Sequence, residues 1–128
     1  MDIDAYLQER KHRTLERKTR LSTLKLGQLI DGRVVGVKAY GVFVDIGGCS
    51  ALLHVSTISQ LPIAHPNQVF QVGDWVRAII VWMDIEKGRV SISTSDLELE
   101  PGDMLRNPFD VYESAEEMAD IYRQHILS

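Results

Sequence analysis

Three side chains in the first half of the chain could bind unpaired bases: Tyr40, Phe43 and His54. In residues 42–46, Val and Ile alternate with Phe43 and Asp45, and a strand sends alternate side chains to opposite faces. The aliphatic set would then fill a core and leave Phe43 outside. Such a ring either packs beneath a loop or helix or joins Tyr40 and His54 in a platform, where each stacked base gains roughly 1 to 3 kcal/mol. From the residues alone, the two interpretations weigh about equally.

The carboxylates and imidazoles of the chain show no pattern typical of catalysis. Asp31, Asp45 and Asp84 fall on predicted strands or a turn, without a repeated acid and base spacing. No metal or cofactor site is indicated by the four histidines, His12, His54, His65 and His125. The single cysteine, Cys49, is expected to be a buried or half-buried structural thiol. We therefore predict that the protein is not an enzyme and has no catalytic residue.

The charge is divided unevenly along the chain. The total is −4, but residues 1–27 carry seven Lys and Arg against four Asp and Glu, a net +3. Residues 26–96, which overlap the first range only at uncharged positions, carry five against six. Residues 97–128 carry two against eight, a net −6. Any affinity for nucleic acid must therefore come from local groups and not from total charge.

The length and composition allow one compact domain with extensions. A chain of 128 residues that is 45% hydrophobic and 25% charged is ordinary for a globular protein with a single core. No run approaches the roughly 20 apolar residues that cross a bilayer. The start lacks the basic and then apolar order of a secretory signal. We therefore expect a cytoplasmic protein.

Short β-branched runs punctuated by glycine fill the middle of the chain, which is typical of a small all-β barrel. Gly32 and Gly36 stand where the first strand would bend to close such a barrel. The run AIIVWM in the fourth strand indicates burial on both sides. The predicted strands cover residues 28–38, 42–46, 51–55, 75–83 and 89–94, with a loop and a short helical turn between 56 and 73.

Two segments flank the predicted barrel. Residues 1–25 form a basic extension with good helix formers and few apolar positions, typical of a solvated helix or a mobile tail. Residues 97–128 contain breakers at 101–102 and 107–108, and then a helix with a capping box between Ser114 and Glu117. This helix should pack against the barrel or a partner through Ala115, Met118, Ala119, Tyr122 and Ile126.

The barrel segment, residues 26–96, resembles a known RNA-binding domain. The resemblance is carried by LGQLIDGRVVGVKAYGVFVDIGGCSALLHVS, VGDWVRAIIVWMD and GRVSIST, with the YGVF turn and the LLHVS strand at the expected spacings. These stretches resemble the domain repeated in bacterial ribosomal protein S-one and found also in polynucleotide phosphorylase and ribonuclease E. The resemblance implies a five-stranded antiparallel barrel of the oligonucleotide-binding (OB) fold. It also favours stacking as the role of Tyr40, Phe43 and His54.

The same resemblance adds residues to the nucleic-acid face. It maps two further positions of that face onto Asp84 and Arg89, which flank the last hairpin. Lys38 lies beside the face and would meet phosphate. Asp84 would orient Arg89 or accept a hydrogen bond from a base. The chain departs from the family at Ser95 and Asp96, where a lysine is common, and this departure weakens the basic rim.

A second resemblance lies in the acidic tail, which reads ELEPGDMLRNPFDVYESAEEMADIYR. It is similar to the region after the last repeat of ribosomal protein S-one from cyanobacteria and plastids, although those proteins carry several repeats. The resemblance implies a single-stranded RNA binder in translation, with messenger RNA and the small ribosomal subunit as partners. The alternative is an adaptor whose charged ends hold RNA polymerase, a ribonuclease or a ribosomal protein.

Overall fold

The computed structural model of the protein describes residues 2–127, and the side chains of residues 10–19 lie outside that description. The regular elements are α1 (Ile3–Ser22), β1 (Leu29–Lys38), β2 (Gly41–Asp45), β3 (Ser50–His54), β4 (Trp75–Asp84), β5 (Arg89–Ser93), α2 (Asp103–Arg106), α3 (Pro108–Glu113) and α4 (Ala115–Ile126). Each bound of the five strands lies within one residue of its predicted position. Among the described residues, no helix is both long and apolar enough to cross a membrane.

The five strands close into a barrel with the order β1-β2-β3-β5-β4. Neighbouring strands are antiparallel except β3 and β5, which run parallel with Leu52 opposite Ser91. The connection between β3 and β4 contains two short 3-10 turns, Val55–Thr57 and Pro66–Gln68, where the sequence predicted a loop with a helical turn. The predicted fold, a five-stranded OB-type barrel with a C-terminal helix, is confirmed, except that the expected antiparallel pairing does not hold between β3 and β5.

The barrel interior is filled by alternate residues of its strands, as the period of two predicts. β1 approaches β2 so closely that a Cβ atom on Gly32 would lie 2.5 Å from Val44 Cγ1, which explains the glycine in this curved strand. Cys49 is 6% exposed, which confirms a buried thiol. The inward residues of β2 and β3, none more than 1% exposed, are Val42, Val44, Ala51 and Leu53.

The end of α1 is fastened to the barrel. Leu21 and Leu24 belong to the buried core. The Arg20 guanidinium donates to the carbonyl oxygens of Ile46 and Gly47 at 3.2 and 3.1 Å. The predicted extension is therefore anchored where it meets the barrel. Five of its seven Lys and Arg fall within residues 10–19, and their side chains lie outside the described part of the chain.

The acidic C-terminal segment forms three helices where the sequence predicted one. The predicted breakers begin the two additional helices. Gly102, with a φ of 92°, precedes α2, and the Asn107 side chain accepts a hydrogen bond from the Phe109 N–H at 3.1 Å at the start of α3. Glycine and asparagine are common at the N-cap of a helix, and proline is common at its first position. The predicted breakers therefore mark the starts of α2 and α3.

The capping box predicted at Ser114 is wrong. The Ser114 hydroxyl donates to the carbonyl oxygens of Asp110 and Val111 at 3.3 and 3.5 Å and does not cap α4. Because α3 ends at Glu113 and α4 begins at Ala115, Ser114 is a joint between two helices. Its hydroxyl is therefore satisfied by the helix that precedes it.

The apolar stripe of α4 packs against the barrel except at its end. Ala115 and Ala119 are completely buried, and Met118 and Tyr122 lie partly buried against the core. Ile126 is 63% exposed, so its predicted packing is wrong. The segment before α4 adds further buried residues to the core, namely Leu97, Met104 and Val111. The acidic segment is therefore an integral part of the fold.

A buried carboxylate locks this segment to the barrel. Glu98 is 2% exposed and accepts hydrogen bonds from the Ser59 hydroxyl at 2.8 Å and from the Gln60 N–H at 2.7 Å. Its Oε2 atom also accepts from the Met104 N–H at 2.9 Å. Charged hydrogen bonds of this kind compensate the cost of burying a carboxylate. Glu98 thus joins the β3–β4 connection to α2.

Candidate nucleic-acid interface

Tyr40 and Phe43 form an aromatic pair where β1 turns into β2. Their ring centroids are 6.0 Å apart and the ring planes meet at 86°. Tyr40 is 51% exposed and Phe43 is half-buried, so Phe43 faces outward as predicted. The Tyr40 carbonyl oxygen accepts from the Val55 N–H at 2.9 Å, which holds the turn. Opposite Phe43 stands Gly36, which offers no side chain to shield the ring.

His54 ends β3, and its ring is fixed by the residues that follow. Its Nδ1 atom accepts from the Ser56 N–H at 3.1 Å and lies 2.7 Å from the Ser56 hydroxyl. An accepting Nδ1 places the proton of a neutral imidazole on Nε2. The ring is exposed, so this N–H can be offered to a ligand. The two residues after His54, Val55 and Ser56, line part of a cavity of about 380 Å³.

The strand register arranges the outward side chains in rows. One row crosses β1, β2 and β3 through Lys38, Gly41 and His54. On the far side of the face, another row joins Asp84 to Arg89 across the last hairpin. The Lys38 row and the Asp84 row each lie two residues along the strands, roughly 7 Å, from a central row that crosses all five strands. The central row comprises Gly36, Phe43, Leu52, Ser91 and Trp82.

The two cations of the predicted site lie on opposite sides of the central row. Lys38 and Arg89 are exposed, and neither side chain has an ion pair or hydrogen bond with any described residue. The carboxylate of Asp84 accepts from the Lys87 N–H at 3.1 Å and makes no hydrogen bond to Arg89 within the described chain. Asp84 therefore shapes the hairpin, while Lys38 and Arg89 remain available to phosphate.

Sequence reasoning missed Trp82 as a candidate site residue because the run AIIVWM indicated burial on both sides. In the structure the second half of this run is not buried. The register shifts between Ile80 and Trp82, and this bulge leaves Trp82 48% exposed in the central row. A signal lay in the following strand. Val90 and Ile92 are inward residues, so Ser91 between them must face outward, and its partner across the hairpin must do the same.

The resulting surface, which we call the RNA face, is defined by the three rows together with Tyr40, whose ring contacts Phe43. It offers the rings of Tyr40, Phe43 and Trp82 for base stacking, which tolerates any base. Lys38 and Arg89 lie at its two sides to meet phosphates. Within the described side chains, no group of three His, Cys, Asp or Glu is placed to hold a metal ion. The chemistry that this surface supports is binding.

Comparison with known families identifies the domain that carries this surface. The family model of the S1 RNA binding domain matches residues 23–95, which contain all five strands and the six predicted site residues. The chain belongs to the S1 RNA binding domain family. The matched span begins three residues before the predicted barrel segment, 26–96, and ends one residue before its end.

Similar proteins extend the match into the tail of this S1 domain. Small ribosomal subunit protein bS1 of Synechococcus is 50% identical over 115 residues, which are 90% of this chain and 38% of that protein. Small ribosomal subunit protein bS1c of Spinacia oleracea is 50% identical over 103 residues, 80% of this chain and 25% of that protein. The chain thus spans well under half the length of these relatives.

A solved structure is similar to this chain over about half of its length. GSP13 from Bacillus subtilis has a TM-score of 0.53 and 32% identity, covering 56% of this chain and 55% of that one. The resemblance to ribosomal protein S-one, including its cyanobacterial and plastid character, is confirmed. The matching family is an RNA-binding one, and these relatives are named as small ribosomal subunit proteins. RNA binding is therefore favoured over the adaptor alternative, and the individual site residues stay predictions.

Proposed function

We propose that the chain binds single-stranded RNA on the RNA face and acts in translation, with messenger RNA and the small ribosomal subunit as its partners. The observation that carries this proposal is the uncovered aromatic surface of Tyr40, Phe43 and Trp82. The C-terminal helices contact β1 and β4, and they leave Tyr40 and Trp82 exposed and Phe43 half-buried. Exposed rings with cations on two sides suit a strand whose bases stack and whose phosphates lie outside.

The rows give the strand an oblique path. It enters beside Lys38 and His54, crosses Phe43, and leaves beside Trp82 and Arg89. Stacking on the central row would contribute roughly 1 to 3 kcal/mol for each base. The N–H of His54 Nε2 would donate to a phosphate or a base edge at the entry.

The proposed affinity is modest and depends on salt. Two cations, Lys38 and Arg89, can meet phosphates, and each phosphate neutralised on a single strand contributes about 0.7 to the slope. Ser95 and Asp96, where the family often has a lysine, add no positive charge. In longer proteins of this family, linked domains would raise avidity through effective concentration.

The role in translation rests on the relatives, which are named as small ribosomal subunit proteins. We extend that assignment to this chain because half of its residues are identical to theirs over most of its length. With this role in translation, we propose a cytoplasmic location for the chain. The role also requires no catalysis, so we propose that the chain is a binding protein with neither cofactor nor active site.

The proposal is tested by removing two rings of the RNA face. The double variant Tyr40→Ala and Phe43→Ala should bind a short uridine-rich RNA about 30-fold more weakly or worse, because two stacking contacts are lost. Fluorescence anisotropy of a labelled RNA measures the affinity. Phe109→Ala is the matched control, since it removes an exposed ring on α3. Equal binding by the double variant and the unaltered chain would refute stacking on these rings.

The ribosomal assignment needs a separate measurement. The unaltered chain should sediment with purified small ribosomal subunits in the presence of messenger RNA, and the double variant should do so less. A chain that binds free RNA but leaves the subunits unbound would contradict the ribosomal role and preserve the RNA face.

A further inference from the structure

A second aromatic surface lies at the other end of β4, between the barrel and α3. Trp75 is 61% exposed and Phe109 is 68% exposed. The half-buried Tyr112 ring stands edge to face with Phe109, with 5.9 Å between their centroids. Two cavities, of about 470 and about 410 Å³, are both lined by these three side chains. We call this surface the α3 groove, and its volumes are typical of binding sites.

Carboxylates surround the α3 groove. Asp31 and Glu113 line one cavity and Asp74 lines the other. Arg77 also lines the groove, but its Nε and Nη2 atoms donate to the Asp31 carboxylate at 2.8 and 3.3 Å. Its third nitrogen, Nη1, donates to the Tyr112 carbonyl oxygen at 3.5 Å. Arg77 is therefore committed within the fold, and the described lining offers no free cation to a phosphate.

Trp75 already carries a guanidinium on its ring. The Cζ atom of Arg33 lies 4.3 Å from the ring centroid, and the two residues are partners across β1 and β4. Arg33 adds positive charge at this edge, while Asp110 and Glu116 add negative charge on the helical side. The contact shows that this ring, in this setting, accepts a planar cation.

We propose that the α3 groove binds an arginine-rich segment of another protein. A guanidinium can stack on Trp75 or Phe109 and form paired hydrogen bonds to a carboxylate such as Glu113, which an ammonium group cannot do in the same geometry. An RNA strand would instead bring its phosphates against the carboxylates. The groove and the RNA face therefore select opposite charges at the two ends of β4.

The first test uses Trp75 as the reporter. In the full chain with Trp82→Phe, Trp75 is the sole tryptophan. A short arginine-rich peptide should change its fluorescence saturably, and a lysine peptide of equal charge should bind about 3-fold more weakly or worse. Absence of binding by the arginine peptide, or equal affinity for both peptides, would overturn the proposal.

The second test separates the groove from general attraction to an acidic protein. Phe109→Ala and Trp75→Ala change no charge, and each should weaken labelled arginine peptide between about 2-fold and about 30-fold. Phe109 is the safer site because its ring is mostly exposed, and melting curves confirm folding. The matched control, Trp82→Ala, should leave peptide affinity unchanged.

The same variants are then titrated with RNA in the absence of peptide. Phe109→Ala and Trp75→Ala should keep the RNA affinity of the unaltered chain. A loss of RNA affinity in Phe109→Ala would assign the α3 groove to RNA and overturn the proposal. Unchanged peptide affinity in both variants would also overturn it. Neither outcome depends on whether Tyr40 and Phe43 bind RNA.

Discussion

The two tryptophans of β4 share a strand and face different charges. Trp82 lies one row from Arg89, whereas Trp75 lies beside Asp31 and Glu113. Trp82 follows Trp75 by seven positions along β4, roughly 23 Å at the rise of an extended chain. In both places an exposed ring provides a stacking contact. In our proposals the neighbouring charges determine which partner binds. The Trp82 end binds the phosphates of RNA, and the Trp75 end binds a cationic side chain.

The RNA face and the α3 groove also differ in the secondary-structure elements that form them. The RNA face consists of barrel strands and their turns, so its rows follow from strand register. The α3 groove needs a strand from the barrel and a helix more than twenty residues later in the chain, held together by packing. A change that loosens the C-terminal segment should therefore harm the groove before the RNA face.

The largest expected effect comes from Glu98→Ala. It leaves three donors, from Ser59, Gln60 and Met104, without their acceptor in a buried site. At roughly 1 to 3 kcal/mol for each orphaned donor, the free energy of unfolding should fall by about 3 kcal/mol or more. Urea unfolding measures the loss. The control is Glu100→Ala, an exposed carboxylate two residues away, which should change stability by less than about 0.5 kcal/mol.

Trp82→Ala should weaken RNA and leave the α3 groove intact. Loss of one stacked base, roughly 1 to 3 kcal/mol, corresponds to about 5-fold to about 150-fold in affinity. Trp75→Ala removes the same side chain from the other end of β4 and should leave RNA affinity unchanged. Anisotropy of labelled RNA measures both. An equal loss of RNA affinity in the two variants would contradict the proposal that only the Trp82 end of β4 binds RNA.

The barrel could be predicted from sequence because its signals are local. The alternation at 42–46 indicated the inward and outward faces, and each strand was placed within one residue. The same reasoning failed at Trp82, because a bulge shifts the register there and no local signal in the run AIIVWM reveals it. Trp75 lies too far in sequence from Phe109 and Tyr112, which share α3, for any periodicity to bring the three rings of the α3 groove together.

The acidic tail shows a different limit. Its net charge of −6 suggests removing residues 97–128 to test their effect on RNA binding, but Leu97, Glu98 and Met104 are buried. Cutting at residue 97 would open the core and remove the carboxylate that holds the β3–β4 connection. The charge of the tail is better tested by neutralising exposed carboxylates. Helical periodicity predicted only the inner part of α4, because short helices with unusual caps leave little pattern.

Arg89→Ala should lower both the affinity for RNA and its dependence on salt. If Arg89 meets one phosphate, the slope of log affinity against log salt should become shallower by about 0.7. Arg33→Ala removes the same charge at the Trp75 end and should leave the slope as it is. Titrations at several salt concentrations measure both slopes. A shallower slope in both variants would indicate that total charge, and not position, attracts the RNA.

The smallest expected effect is at the base of the α3 groove, in Tyr112→Phe. The Tyr112 hydroxyl is buried and has no hydrogen-bond partner among the described residues. Removing an orphaned polar group relieves its cost of desolvation, so the variant should be as stable as the unaltered chain or up to about 1 kcal/mol more stable at neutral pH. Tyr40→Phe is the control, since its hydroxyl belongs to an exposed ring. A marked loss of stability would mean that the Tyr112 hydroxyl has a partner after all.

Alkaline pH should widen that difference, and the sign follows from the pKa. Burial, and to a lesser degree the nearby Asp74 carboxylate, raises the pKa of Tyr112 above its ordinary value of 10.0. Below that value both the folded and the unfolded chain keep the proton, and the contribution of Tyr112 to stability is fully present. Above it only the unfolded chain releases the proton, so stability falls by up to about 1.4 kcal/mol for each pH unit until the folded pKa is reached. The Phe variant lacks this loss, so its advantage in urea unfolding should grow between pH 10.0 and about pH 11. A constant advantage would show that the hydroxyl ionises in the folded state and that the base of the groove is open to water.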